Sequence, residues 1–136
     1  MDTPLATYIV EDNPLIRDNL IATLEELLPL RVVGTADEEA VALAWMTGCD
    51  ERCDLMIVDI FLKRGSGLGV LDAAQRLRPA SRRVVLSNYA TPDVRRRCEA
   101  LGAERVFDKS HDIEALIDYC RRLVDERRDG GTQARA

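Results

Sequence analysis

The chain has 136 residues, 46% of them hydrophobic and 32% charged, which suits one domain with a real core and leaves little room for a second. Aromatics are only 4%, so the core is expected to be aliphatic, and a formal net charge of −5 argues against a direct nucleic-acid binder. No apolar run is long enough to span a membrane and Met1-Asp2-Thr3-Pro4 carries no basic region, so a cytoplasmic protein with no membrane attachment is expected. Cys49, Cys53, Cys98 and Cys120 include no C-x-x-C pair, and His111 has no cysteine near it, so reduced thiols are expected rather than a zinc site.

Leu5 to Val10 reads as a first strand that runs into Glu11-Asp12. Asn13-Pro14 has the form of an N-cap followed by proline at the first helical position. Leu15, Ile16, Leu20, Leu24, Leu27 and Leu28 then recur at helical spacing up to Pro29. A short second strand, Arg31 to Thr35, leads to Asp37, expected to cap a helix with Glu38 and Glu39 in its first turn. Ala40, Val41, Leu43, Ala44 and Met46 supply that helix's apolar side. Asp54 to Asp59 is the third strand, and its core Leu55-Met56-Ile57-Val58 shows no alternation, the pattern of a strand buried on both faces. A glycine-rich turn, Gly65-Ser66-Gly67, precedes a short helix carrying Leu68, Leu71, Ala74 and Leu77. Arg82 to Ser87 is the fourth strand, and Thr91-Pro92-Asp93 opens a helix closed by Gly102. Glu104 to Asp108 is the fifth strand, and Ser110 is expected to cap a last helix. The domain is taken as residues 1–125, and the polar, glycine-containing residues 126–136 as a flexible tail.

Five βα units in succession imply an α/β fold: a doubly wound, five-stranded parallel sheet with five helices on its two faces. In such sheets the strand carboxyl ends share one rim, where ligands bind. The first strand brings Glu11 and Asp12 to it, the third Asp59, the fourth Ser87, and the fifth Asp108 and Lys109. Three clustered carboxylates, Glu11, Asp12 and Asp59, call for a cation, and Mg2+ fits because it takes a few carboxylate oxygens and keeps positions for a phosphoryl oxygen. With a lysine and a hydroxyl alongside, the set describes a cradle for a phosphoryl group, and Asp59 is placed to be its nucleophile.

These residues resemble the receiver domain of two-component response regulators over residues 5 to about 125. The resemblance is carried by Glu11-Asp12, by Asp59 in V-D-I-F-L, by Gly67-Leu68, by Ser87 ending V-V-L-S, and by Gly102-Ala103 ahead of V-F-D-K with Lys109. It implies the flavodoxin-like (CheY-like) strand order 2-1-3-4-5. Asp59 is then expected to accept a phosphoryl group from a sensor histidine kinase or phosphotransfer protein. Glu11, Asp12, Asp59 and the backbone carbonyl of Phe61 are expected to hold the magnesium. Lys109 and Ser87 are expected to contact the phosphate, and a downstream protein to read the face of the fourth helix, fifth strand and fifth helix. Phosphorylation-dependent homodimerisation also belongs to that pattern. Such a protein catalyses its own phosphorylation and dephosphorylation and turns over no external substrate.

Some positions depart from the family pattern. Ser110 follows the lysine where many members have a cis-proline, Lys63 stands where the loop often has proline, and Val106 occupies the place of the switch aromatic. Phe107 is adjacent to Val106 but belongs to the opposite side of its strand. Tyr89 either substitutes for the switch aromatic or is a surface loop residue. Gly65 to Gly69 lacks the last small residue of a dinucleotide fingerprint, so turn glycines are the better reading. Arg95-Arg96-Arg97 is read as a solvated helix face and Trp45 as partly buried packing. A phosphatase of the haloacid-dehalogenase type would want an acid where Phe61 stands, and a flavodoxin-like flavin binder would not place Glu11-Asp12 in its phosphate loop. A stand-alone receiver is the expectation, and a pseudo-receiver scaffold and a receiver fragment of a longer DNA-binding regulator stay as alternatives.

Overall fold

The computed structural model describes residues 3–135, with side chains to residue 128. Five strands, β1 (Leu5–Val10), β2 (Leu30–Ala36), β3 (Leu55–Val58), β4 (Arg82–Ser87) and β5 (Arg105–Asp108), form one parallel sheet in the order β2-β1-β3-β4-β5. Five helices connect and complete it: α1 (Pro14–Leu27), α2 (Glu39–Gly48), α3 (Gly67–Leu77), α4 (Pro92–Ala100) and α5 (Ile113–Arg135). The expected α/β class, helix count and strand order are all observed.

The two-residue period of the strands divides the core between the faces of the sheet. Met56 and Val58 join Tyr8, Val10 and Val85 on the side covered by α2, α3 and α4. Leu55 and Ile57 join Ile9, Val84, Leu86 and Phe107 on the side covered by α1 and α5. Val106 and Phe107 fall on opposite faces, as the alternation requires. Trp45 is partly buried, stacked on Tyr8 at 4.2 Å between ring centroids, with the Arg78 guanidinium over its ring at 4.8 Å. All four cysteines are free. Burial pushes the Cys53 thiol up to about 11 and the Cys120 thiol up to about 12, so these behave as apolar packing groups.

Local capping signals hold where the donors are a turn away. Asn13 accepts from the N–H groups of Leu15 and Ile16, and Thr91 from that of Val94. Two caps differ from expectation. The cap position of α2 is Glu38, not Asp37, and its side chain makes no capping bond but lies 3.6 Å from Arg64. Ser110 sits in a turn before α5, and Asp112 instead directly precedes the helix, its carboxylate reaching back to the Asp108 N–H. Two helix faces also differ from expectation. For α1 the expected stripe holds at Ile16, Leu20, Leu24 and Leu28 and is narrower by Leu15 and Leu27, which turn to solvent. In α2 the buried pair is Ala42 and Met46, four apart, while Ala40, Val41 and Ala44 are exposed.

The boundary expected near residue 125 does not interrupt α5, whose backbone stays helical to Arg135. Glu126 and Arg127 are good helix formers, and Arg127 is held by the Thr3 carbonyl and lies 3.7 Å from Asp54. The rest of the expected tail, the side chains of residues 129–135 and all of Ala136, lies outside the described residues. Among the described residues no peptide bond is cis, the Lys109–Ser110 bond included, and no helix is long and apolar enough to cross a membrane.

Candidate functional site

Three strands each carry their ladder one residue past their ends, and this sets the site. The Glu11 N–H donates to Ala36, the Asp59 N–H to Val10 and the Lys109 N–H to Ser87, each at 2.9 Å. Their side chains are thereby fixed on one rim of the sheet by backbone bonds. Glu11, Asp12, Asp59 and Lys109 line one cleft of about 240 Å3 together with Asn13, Phe61, Asn88 and Tyr89.

Lys109 is the electrostatic centre of this cleft. Its Nζ lies 2.6 Å from Glu11 Oε1 and 2.9 Å from Asp59 Oδ2, with all three side chains at most 10% exposed. Burial works against the ammonium, yet its hydrogen bonds to Glu11 and Asp59 outweigh this and hold Lys109 above the ordinary lysine range. Burial pushes the Glu11 carboxyl up; bonds from Lys109 and the Asn13 N–H oppose that, and the nearby Asp59 charge adds to it. One carboxylate oxygen from each of Glu11, Asp12 and Asp59 falls within 4.8 Å of the others. Three hard oxygen donors from short side chains fit a small divalent cation of the magnesium or calcium kind, and lack the nitrogen or sulfur that zinc prefers.

The loop after β3 closes the cleft from the side. The Phe61 N–H donates to Asp59 Oδ1 at 3.2 Å and the Lys63 N–H to Asp12 Oδ2 at 2.8 Å, so the loop backbone reads both acids. Gly65 sits at φ 78°, where glycine alone is unstrained, and Ser66 caps α3 by accepting from the Leu68 N–H. The turn reading of this glycine run therefore holds.

Two expected members of the site stand differently. Ser87 is fully buried behind the cleft, and its Oγ accepts from the Tyr89 N–H at 3.2 Å. Asp108 turns away to accept from the Ser110 N–H. Asn88 and Glu39 were not anticipated. Asn88 lines the cleft one residue past Ser87. Glu39 accepts from the Ser66 N–H at 2.9 Å and so braces the β3–α3 loop. A polar residue beside a strand-end hydroxyl was the available signal for Asn88, whereas nothing local marks a helix-start glutamate as a loop brace. Phe61 and Tyr89, both more than half exposed, meet edge to face at 5.2 Å over the mouth of the cleft.

A family model described as the response regulator receiver domain matches residues 7–121. The chain belongs to this family. The receiver is 31% identical over 120 residues to the nitrate/nitrite response regulator protein NarP of Escherichia coli (strain K12), covering 88% of this chain and 54% of that protein. A shorter match, 36% identical over 62 residues, is to the mitochondrial lipoyl synthase of Sorghum bicolor and takes in 46% of this chain and 16% of that protein. The receiver thus spans about half of NarP and about a sixth of the synthase. Among solved structures, the CheY-like receiver domain protein from Methanospirillum hungatei JF-1 aligns with a TM-score of 0.77 at 24% identity, covering 93% of this chain and 98% of that one. A Burkholderia pseudomallei response regulator solved with a phosphorylated aspartic acid, a calcium ion and citrate aligns at 0.74 and 20% identity, covering 96% and 75%. At these identities the structural likeness establishes the fold. Receiver domains bind a divalent metal at an acidic pocket, and Glu11, Asp12 and Asp59 form one here.

Proposed function

We propose that Asp59 is the phosphoacceptor of this receiver. An Asp59 carboxylate oxygen attacks the phosphorus of a phosphohistidine in a sensor kinase or phosphotransfer protein. The new O–P bond forms as the N–P bond breaks, and the departing imidazole takes a proton from water. The observation that carries this reading is the setting of Asp59, within 2.9 Å of Lys109 and clustered with Glu11 and Asp12. Glu11, Asp12, Asp59 and the Phe61 carbonyl would hold Mg2+, which supplies charge neutralisation at the transferring phosphoryl oxygens. Lys109 keeps its ammonium to pair with the phosphate, and Ser87 rotates from the Tyr89 N–H to donate its hydroxyl to a phosphoryl oxygen. The new dianion biases the α4–β5–α5 face, which a downstream protein reads in the cytoplasm.

The test is to incubate the protein with Mg2+ and a small acyl phosphate and to follow intact mass. A base-labile gain of one phosphoryl group is expected, lost on chelation of the metal. No gain from either the acyl phosphate or a phosphorylated kinase would sink the reading and leave a scaffold role.

The edge-to-face pair over the cleft gives a kinetic prediction. Phe61 and Tyr89 stand where a hydrolytic water would approach Asp59. In Phe61→Ala and Tyr89→Ala, loss of the phosphoryl group should be several-fold faster than in the parent, measured by mass after removal of the donor. Unchanged lifetimes in both would rule out shielding by these rings.

A further inference from the structure

Val106 cannot serve as an aromatic rotamer switch. It is a buried valine, stiff at its one side-chain torsion, paired with Val85 across the sheet and part of the core cluster that holds Cys98 and Ala103. A different connection occupies the same place. Arg95, on the first turns of α4, donates from Nε to the Ala90 carbonyl at 3.0 Å and from Nη1 to the Val106 carbonyl at 2.7 Å. Its Nη2 lies 3.9 Å from Asp112. That carboxylate in turn accepts from the Asp108 N–H at 2.9 Å. The expected reading of Arg95-Arg96-Arg97 as a solvated face thus holds for Arg96 and Arg97, which are exposed, and fails for Arg95.

We propose that Arg95 is a positioning residue that transmits the state of Asp59 to β5 and the start of α5. The inference rests on the phosphoacceptor reading above. Ala90 closes the loop that begins at Ser87. When the Ser87 hydroxyl leaves the Tyr89 N–H for a phosphoryl oxygen, residues 88–90 lose the bond that fixes their turn, and the Ala90 carbonyl shifts. A guanidinium is planar and rigid, so Nε and Nη1 cannot follow separate acceptors. A shift at Ala90 therefore re-aims the donor to Val106, a residue of the edge strand β5, and with it the charge facing Asp112. A polar cleft of about 220 Å3, lined by Arg95, Glu99, Val106 and Asp112 among others, gives the guanidinium room to move. One side chain thus bridges three elements that a side-chain flip at Val106 could not connect.

The experiment uses the full chain with Mg2+ and beryllium trifluoride, a carboxylate-bound analogue of the acyl phosphate, and reads amide hydrogen exchange by residue. In the parent, protection should change around Asp59, across 88–97 and across 105–113. In Arg95→Gln, the change around Asp59 should persist while that across 105–113 is lost. Arg95→Lys, which keeps the charge but lacks the rigid planar fork, should fold and show a reduced change across 105–113; it decides the matter if Arg95→Gln does not fold. A full response across 105–113 in a folded variant would overturn the proposal, as would loss of the change around Asp59 itself, since Arg95 would then act on the site and not on transmission. A parent that shows no change around Asp59 would instead remove the phosphoacceptor reading on which the inference stands.

Discussion

Lys109→Ala should destabilise the protein by about 3 kcal/mol at pH 7 in the absence of divalent metal, and by about 1 kcal/mol at pH 5. The ammonium it removes is bonded to Glu11 and Asp59, both almost fully buried. Stripping one partner from a buried pair leaves charge that neither water nor protein compensates. The protein limits this cost by protonating Glu11, whose carboxyl is already raised by burial from 4.5. Holding that proton at pH 7 costs about 1.4 kcal/mol for each pH unit above the ordinary value, which sets the ceiling at about 3.5 kcal/mol. A carboxyl with a raised folded-state pKa favours the fold at low pH and loses that advantage as pH rises. The penalty must therefore shrink between pH 7 and pH 5. Magnesium should restore more stability to the variant than it adds to the parent, because it supplies the missing positive charge beside the same carboxylates. Urea unfolding at the two pH values, with and without Mg2+, measures all of this. A penalty independent of pH would mean that Lys109 acts through packing alone.

Gly67→Ala should be the most damaging of the conservative glycine changes, costing about 3 kcal/mol and slowing phosphorylation of Asp59. A Cβ at position 67 would lie 2.2 Å from the Asp59 carbonyl oxygen and 2.7 Å from the Ile60 Cα. These are backbone atoms and cannot swing aside. The Gly67 N–H also donates to the Ile60 carbonyl at 2.9 Å, so α3 cannot retreat without breaking that bond. The strain thus falls on the peptide that aims the Asp59 carboxylate. Gly48→Ala is the matched control: nothing lies within 4 Å of its Cβ, and helix propensity predicts a change of only about 0.5 kcal/mol, in the stabilising direction. Equal unfolding midpoints for the two variants would contradict this account of the close approach.

The sequence carried the parts of the structure that depend on short-range rules. Asn13-Pro14 and Thr91-Pro92 predicted helix starts because the N–H groups they serve are within three residues. The strand-end rule collected Glu11, Asp12, Asp59 and Lys109 because a parallel sheet sends every carboxyl end to one edge. Where tertiary contact competes with a local signal, the local signal lost. Asp37 does not cap α2, whose cap position is held by Glu38 beside Arg64, and Asp112 is drawn to the Asp108 N–H ahead of α5. Ser87 was placed in the right stretch, but its hydroxyl partner depends on the loop turn that follows. Arg95 and Glu39 were out of reach altogether. Each acts across 11 or more residues on a backbone group, and no periodicity marks such a contact.

The buried carboxylate at residue 59 should become an acyl phosphate. Reduction of the phosphorylated protein with borohydride converts such a group to the alcohol, so peptide mass mapping reads the modified aspartate as homoserine. Homoserine is expected at position 59 and nowhere else, with none formed when Mg2+ is chelated or in Asp59→Asn. Homoserine at Asp12, or a phosphoryl group that resists neutral hydroxylamine and maps to Ser87, would overturn this assignment.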